Sequence, residues 1–184
     1  MKKLLTFAVA MMLASSASAL SFNWGATKVA FDGTTLKNAD VTGYIVYLSS
    51  GELDSSYTMN DSFTAASVGT VISTGTKTSA VGKSYGTATF DYGAYDNGAV
   101  FGMLLSYKAD EKTYYNLSST TYTLSGIADE TSSLSDASFT FNYTSKSDSG
   151  TSISGGGGWV AVPEPSTAAL ALAGLALLLK RRRA

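Results

Sequence analysis

The pattern of apolar and polar positions along the chain is typical of short β-strands. Between residues 20 and 144 these positions alternate in short runs that are separated by turn-forming residues. The run Thr42–Leu48 carries large apolar side chains on both faces, with Tyr44, Val46 and Leu48 on one and Ile45 and Tyr47 on the other. Apolar residues on both faces predict a central strand that is covered on both sides.

The remaining runs predict further strands joined by tight turns. They cover residues 20–31, 70–80, 83–92, 99–107, 113–118, 121–124 and 138–144. Asp96-Asn97-Gly98 predicts a hairpin turn between a strand ending near Tyr95 and the strand at 99–107, and residues 108–112 predict a second hairpin turn. Together these signals predict an all-β fold, an antiparallel β-sandwich or jelly-roll-like domain.

One segment has the pattern of a short helix. Asn60-Asp61-Ser62 offers an N-cap, apolar residues follow as far as Val68, and Gly69 can end the helix. We expect one short helix here, covering an edge or an end of the sandwich.

The composition changes after Tyr143. Residues 145–158 are rich in Ser, Gly and Asp and end in four consecutive glycines. This composition is typical of flexible linkers. We therefore expect a β domain over residues 20–144 and a linker over residues 145–161, which would hold the domain clear of a membrane.

The first residues have the organisation of a secretory signal peptide. Lys2 and Lys3 precede an apolar stretch at 4–13, and the small residues Ala17 and Ala19 fit the cleavage rule. We place the signal peptide at residues 1–19, with cleavage after Ala19. The alternative is an uncleaved N-terminal anchor.

Residues 162–184 contain three parts in a fixed order. The first is the motif Val162, Pro163, Glu164 and Pro165. The second is an uncharged apolar segment that includes Ser166, Thr167, Leu170, Leu172, Leu175, Leu177, Leu178 and Leu179. The third is a basic stop-transfer cluster formed by Lys180, Arg181, Arg182 and Arg183.

The apolar segment predicts a short transmembrane helix. The prolines oppose helix formation before Ser166, which is a suitable N-cap. About 13 helical residues span about 20 Å, less than the roughly 30 Å of a hydrocarbon core. Snorkelling basic side chains extend that span, and their charge places the cluster in the cytoplasm. The alternative is a buried helix of a soluble protein.

This tail resembles the PEP-CTERM sorting signal in all three parts. The resemblance covers only residues 162–184. It implies that a membrane-embedded exosortase recognises the tail and cleaves near the Pro-Glu-Pro tripeptide, so that the inner membrane holds the protein only transiently. It also implies release or transfer to the cell surface of a bacterium that makes exopolysaccharide, which makes exopolysaccharide a further candidate partner.

Charge and composition narrow the function of the β domain. Residues 20–158 contain thirteen acidic and seven basic residues and no arginine, which disfavours nucleic acid as a partner. The chain has no cysteine, so burial alone must hold the exported domain together. It also has no histidine, which removes the usual general base and the commonest zinc ligand.

Acidic residues near predicted turns are the first candidate sites. The pairs are Asp91 and Asp96, Asp110 and Glu111, and Asp129 and Glu130. They could bind calcium or form a glycosidase acid pair, but neither the EF-hand spacing nor a defined pair is present. Ordinary turn chemistry explains these residues without a ligand.

Aromatic and threonine side chains are the other candidates. Exposed aromatics could stack on sugar rings, although tyrosine is also a common strand residue. The aromatics considered are Trp24, Tyr44, Tyr47, Tyr85, Tyr92, Tyr95, Tyr107, Tyr114, Tyr115 and Tyr122. Thr74, Thr76 and Thr78 would share one strand face, as threonines do on ice-binding surfaces and on ordinary strands alike.

We therefore expect an exported, non-enzymatic protein of the cell surface or extracellular matrix with a structural or adhesive role. It requires no metal and no cofactor. The alternative is a carbohydrate-binding module for exopolysaccharide, followed by a glycoside hydrolase or an ice-binding protein.

Overall fold

The computed structural model describes residues 18–26, 29–36, 40–76 and 85–164. These residues form an all-β fold, as predicted, and Ala65–Ser67 forms a short 3₁₀ turn. The strands are β1 Ala19–Ala26, β2 Ala30–Phe31, β3 Thr34–Thr35, β4 Val41–Leu48, β5 Tyr57–Thr58, β6 Thr70–Thr76, β7 Gly86–Asp91, β8 Val100–Ala109, β9 Lys112–Leu117, β10 Tyr122–Thr123, β11 Ala137–Phe139, β12 Lys146–Ser147, β13 Ser152–Ile153 and β14 Trp159–Ala161.

Two sheets and two short ribbons make up the architecture. The larger sheet has seven strands in the order β12-β14-β9-β8-β4-β6, with β10 paired to β8. The smaller sheet has three strands in the order β11-β1-β7. Strands β2 and β3 form one ribbon, and β5 and β13 form the other.

The main core contains side chains from both sheets. Leu20, Phe22 and Trp24 alternate with exposed residues along β1, as its sequence pattern predicts, and all three are almost fully buried. They belong to one apolar cluster with Ile45 of β4 and Met103 of β8. The two sheets therefore share one apolar core.

A second core covers the opposite face of the larger sheet. Val46 of β4 and Leu104 of β8 cluster there with Phe63 and Met59 of the segment that links β5 to β6, and with Ile153 of β13. The prediction that Thr42–Leu48 is a central strand is confirmed, since β4 lies between β8 and β6 and is covered on both faces.

The expected helix at residues 60–68 is wrong. Only the 3₁₀ turn Ala65–Ser67 forms, with the Val68 N–H donating to the Ala65 carbonyl at 3.1 Å. The Asn60 side chain caps a local turn by accepting the Ser62 N–H at 2.9 Å. Because helix nucleation is costly for so short a segment, docking of Phe63 and Val68 on the sheet determines the backbone conformation.

The expected hairpin at Asp96-Asn97-Gly98 is also wrong. Strand β7 pairs with β1 and β8 pairs with β4, so this turn connects the two sheets. The Asn97 side chain bonds both the N–H and the carbonyl of Ile127, and the Gly98 N–H donates to Leu124. A turn signal predicts a chain reversal but does not identify the partner of the strand that follows.

The second hairpin is confirmed. Strands β8 and β9 pair from Leu104↔Leu117 to Ala109↔Lys112. Asp110 and Glu111 form the connecting turn with φ of 48° and 66°. Positive φ at both central positions matches the right-handed twist of the flanking strands.

Two pairs of strands depart from the antiparallel arrangement that we expected. Strand β1 pairs with β11 in parallel, through Trp24↔Ala137 to Ala26↔Phe139. Strand β12 pairs with β14 in parallel, through Lys146↔Trp159 and Ser147↔Val160. Parallel strands need a long connection between them. The alternation of apolar and polar residues within a strand does not indicate whether its partner runs parallel or antiparallel.

The interpretation of residues 145–161 as a flexible linker is wrong. The segment forms β12, β13 and β14 and contributes the buried side chains of Ile153 and Trp159 to the two cores. The glycines serve in tight turns, since Gly156 and Gly158 have φ of 76° and 93°. The β domain therefore includes this segment and does not end at Thr144.

Gly158→Ala tests whether this segment is part of the fold. Gly51 and Gly158 both have positive φ, where alanine costs about 1–2 kcal/mol. A Cβ at Gly51 meets no atom within 4 Å, whereas one at Gly158 would lie 2.5 Å from the Ser145 carbonyl oxygen. We expect urea unfolding of the purified protein to show a clearly larger loss for Gly158→Ala than for the matched control Gly51→Ala. Equal losses, or none at Gly158, would contradict this assignment.

Candidate functional site

The candidate site is the junction between the β domain and the C-terminal motif, residues 159–164. Strand β14 is an internal strand of the larger sheet, paired with β9 on one side and β12 on the other. On the β9 side its register runs from Trp159↔Asn116 to Ala161↔Tyr114. On the β12 side Trp159 and Val160 are paired as well, so residues 159–161 form an integral part of the sheet.

Trp159 anchors this junction in the main core. Its side chain is fully buried, and its Nε1–H donates to the Ala30 carbonyl oxygen at 2.8 Å. The ring packs edge-on against Phe31 and Tyr107, with ring centroids 5.6 and 6.1 Å away. Val160 points to the second core, so β14 contributes to both apolar clusters.

The pairing with β9 extends by one residue into the motif and then ends. The Val162 N–H donates to the Thr113 carbonyl at 2.8 Å. Pro163 follows, and a proline has no N–H with which to continue the ladder. Beyond it, Glu164 Oε1 lies 3.4 Å from Lys112 Nζ, and the Glu164 side chain is 70% exposed. Such an exposed ion pair contributes little to stability, so Glu164 is only loosely held.

A shallow cleft of about 280 Å³ adjoins the motif. Its lining combines the apolar side chains of Phe63 and Val162 with the charged side chains of Asp61, Glu111 and Lys112. The cleft is thus lined partly by the motif and partly by the segment that forms the second core.

Several predicted site residues lie outside the described residues. These are Ala17, Pro165, the apolar segment 166–179 and the basic cluster 180–183. Ala19, the residue before the predicted cleavage point, is the exposed first residue of β1 and pairs with Asp91. No helix in the described part of the chain has the length and apolar character needed to cross a membrane.

Comparison with known families identifies the tail. The family model of the PEP-CTERM protein-sorting motif matches residues 161–184. The chain carries a PEP-CTERM sorting motif. No curated protein and no solved structure matches the chain.

The sorting motif confirms the resemblance seen in the sequence, and it covers the C-terminal tail alone. It indicates a protein that is exported through the membrane toward the cell surface, with exosortase as the processing partner. The match begins at Ala161, which is a fully buried residue of β14. The sorting motif and the fold therefore share residues 161 and 162.

Most aromatic candidates pack in the interior of the β domain. Trp24, Tyr85, Tyr114 and Tyr115 are buried, whereas Tyr92 is exposed at 48%. Tyr44, Tyr47, Tyr95, Tyr107 and Tyr122 are partly buried against the cores. The described strands thus bring no row of exposed aromatics together.

Tyr47 and Tyr95 line a separate cleft of about 340 Å³. Their ring centroids are 4.8 Å apart, and Asp96, Ser49 and Ser50 add polar groups to the lining. Burial, with the neighbouring Tyr47 as a smaller cause, raises the pKa of the Tyr95 hydroxyl. That hydroxyl therefore remains protonated near neutral pH and can donate a hydrogen bond.

The acidic candidates are exposed, and all of them except Asp91, which ends β7, lie in turns or loops. Asp129 accepts hydrogen bonds from the hydroxyl and N–H of Thr131, both at 2.8 Å, and these bonds lower the pKa of its carboxyl. Asp110 and Glu111 form the β8–β9 turn. Among the described residues, no group of three or more potential metal ligands is close enough to hold an ion.

Two of the three threonine candidates can be located. Thr74 and Thr76 are both exposed on β6, opposite Tyr44 and Thr42 of β4. Thr78 lies outside the described residues. The pair therefore occupies one strand face, as the alternation predicts.

Sequence reasoning missed a polar cluster that fixes the start of the C-terminal segment. Lys146 Nζ lies 3.2 Å from Asp148 Oδ1 and over the rings of Phe31 and Tyr114, at 5.3 and 5.4 Å. The Tyr114 hydroxyl donates to the same carboxylate. The bond from Tyr114 and then that from Lys146 hold the pKa of Asp148 below its ordinary value of 3.8. Tyr114 lies 34 residues away in the sequence, so no local signal reveals the contact.

Asp148→Asn is expected to make the free energy of unfolding depend less on pH under acidic conditions. Because the pKa of Asp148 is lowered in the folded state, its contribution is present above the ordinary value of 3.8 and is lost as the pH falls further. The variant should be less stable than the parent protein at pH 7, and the difference should shrink below pH 3.8. Urea midpoints at pH 7, 5 and 3 measure this.

Asp91→Asn is the matched control for this experiment. It removes one exposed negative charge at the end of β7 and leaves the bonds to Asp148 intact. A difference between Asp148→Asn and the parent protein that stays constant with pH would contradict the assigned role.

Proposed function

We propose that this chain is an exosortase substrate whose β domain serves as a structural or adhesive, non-enzymatic component of the cell surface or extracellular matrix. In this proposal the signal peptide at 1–19 directs export. The apolar segment at 166–179 holds the protein in the inner membrane, and the sorting motif is then processed. Exopolysaccharide is the proposed environment of the mature domain.

The observation that carries this proposal is the direct connection between a packed sandwich and the sorting motif. The larger sheet is buried on both faces around β4 and β8, and its last strand leads into Val162 without an intervening spacer. A densely packed domain that needs no cysteine suits an exposed extracellular environment.

Charge supports the same proposal. The excess of acidic over basic residues between 20 and 158 favours solubility and disfavours polyanions such as nucleic acid. The acids that could serve in catalysis are exposed, and most of them stand in turns. These features suit a scaffold better than a hydrolase.

Pro163→Ala combined with Pro165→Ala tests the sorting step. Loss of the tripeptide should weaken recognition, and about 1.4 kcal/mol is enough for a tenfold loss. We expect the full-length chain to accumulate in the inner-membrane fraction, with about a tenfold smaller processed fraction, in immunoblots of fractionated cells.

A strain that lacks exosortase is the matched control and should show the same accumulation. If the double variant still reached the surface with its C-terminus removed, the sorting role of the motif would be wrong.

A carbohydrate-binding role is the second candidate, and the cleft at Tyr47 and Tyr95 favours it. Its volume of about 340 Å³ accommodates a sugar ring, and its lining combines tyrosine rings with Asp96 and two serines. Apolar faces of sugars pack on aromatic rings while their hydroxyls bond to polar groups. The proposed ligand is a residue of exopolysaccharide.

Tyr95→Ala tests this second role. Removing one ring from the cleft should weaken binding to purified exopolysaccharide by about tenfold, which corresponds to about 1.4 kcal/mol. Tyr92→Ala is the control, because Tyr92 is exposed and lies outside the lining of the cleft. Isothermal titration calorimetry with the full chain measures both variants. No binding, or equal binding by both variants, would exclude this cleft as the sugar site.

A further inference from the structure

We propose that the folded domain restricts cleavage to peptide bonds that follow Val162, so that the mature protein retains every residue through Val162. This inference rests on the proposed processing by exosortase. It concerns the position of the cut relative to β14, which the motif itself leaves open.

The backbone between residues 159 and 162 is already engaged. Trp159, Val160 and Ala161 pair with β9, and the Val162 N–H donates to the Thr113 carbonyl at 2.8 Å. On the other side of the strand, the parallel partner β12 pairs with Trp159 and Val160. A cleaving enzyme commonly binds its substrate as an extended strand, and here the groups that it would bind are occupied.

The side chains oppose opening of the same segment. Trp159 and Ala161 are fully buried, and Val160 is only 7% exposed. Peeling β14 away from the sheet would remove Trp159 from its contacts with Ala30 and Phe31 and expose both cores at once. The peptide bonds within residues 159–162 are therefore accessible to a cleaving enzyme only in a rare, locally unfolded state.

The backbone pairing that protects residues 159–162 ends at Pro163. Proline supplies no N–H for the ladder, and Pro165 repeats this two residues later. The Glu164 side chain is 70% exposed, and within the described part of the chain it forms an ion pair with Lys112. The first peptide bond outside the paired region is therefore Val162–Pro163, and cleavage is confined to that bond or to those that follow it.

The chemical step is an ordinary hydrolysis of the peptide bond. The C–N bond breaks, the carbonyl carbon takes the oxygen of water, and the departing tail takes a proton at its new amine. If the acyl group passes to a surface hydroxyl or amine, that group takes the place of water. In either case the N-terminal product, which carries the acyl group, retains β14.

The decisive experiment is identification of the C-terminal residue of the mature protein. The full chain is expressed in exosortase-positive cells, the processed form is purified from the surface, and its C-terminal peptide is sequenced by mass spectrometry. A C-terminus at Val162 or at any later residue short of Ala184 is expected. A C-terminus before Val162 would overturn this inference while leaving exosortase processing intact. An uncut chain ending at Ala184 would instead overturn the proposed function.

A second measurement tests protection by the fold directly. Limited digestion of the purified full chain with a non-specific protease should cut the parent protein after Val162 and spare residues 159–162. Trp159→Ala should be cut within residues 159–162 about tenfold faster, because loss of the buried ring favours local unfolding of β14. Lys112→Ala is the matched variant, because it frees Glu164 and leaves β14 paired, so cuts within 159–162 should stay as slow as in the parent protein. Rapid cuts within that segment in the parent protein would overturn the inference, even if Trp159→Ala failed to fold.

Discussion

Burial of both faces of β4 and β8 is the constraint on which the rest of this structure depends. Val46 and Leu104 point to one side of the sheet and Ile45 and Met103 to the other, and all four are fully buried. With no cysteine in the chain, this burial must provide the stability that a disulfide provides in many exported domains. One cover is the three-stranded sheet, and the other is the irregular segment between β4 and β6 together with β13.

Local features of this fold could be predicted from the sequence, whereas its long-range partners could not. The alternation along β1 and the two apolar faces of β4 are properties of single strands, so the sequence reveals them. The connection at Asp96-Asn97-Gly98 shows the limit: its residues predict a turn, but the pairing of β7 with β1 and of β8 with β4 depends on distant segments. The parallel pairing of β1 with β11 is likewise absent from the local pattern.

The C-terminal segment shows why composition alone misleads. Glycine-rich sequence serves flexible linkers, but glycine also permits the positive φ that tight turns require, as at Gly156 and Gly158. The apolar content distinguishes a flexible linker from a folded segment with tight turns. Ile153 and the triplet Trp159-Val160-Ala161 are apolar residues that a solvated linker does not need. The sorting motif could be predicted because its three parts are contiguous. Its overlap with the fold could not, because it depends on Thr113, which is 49 residues from Val162 in the chain.

The first and last of the described strands, β1 and β14, lie inside their sheets. Folding of an exported domain therefore depends on how much of the chain has crossed the membrane. Strand β1 lies between β11 and β7, and β14 lies between β12 and β9. The smaller sheet is complete only when segments more than a hundred residues apart in sequence have paired, as Trp24 does with Ala137. The bond from Trp159 to Ala30 joins the larger sheet to β2 across 129 residues. Such long-range pairing slows folding. Since β14 adjoins the sorting motif, a domain exported N-terminus first can close its larger sheet only after residue 161 has crossed. If the tail is held in the inner membrane, as proposed above, the main core forms next to that membrane, because Trp159 is part of that core.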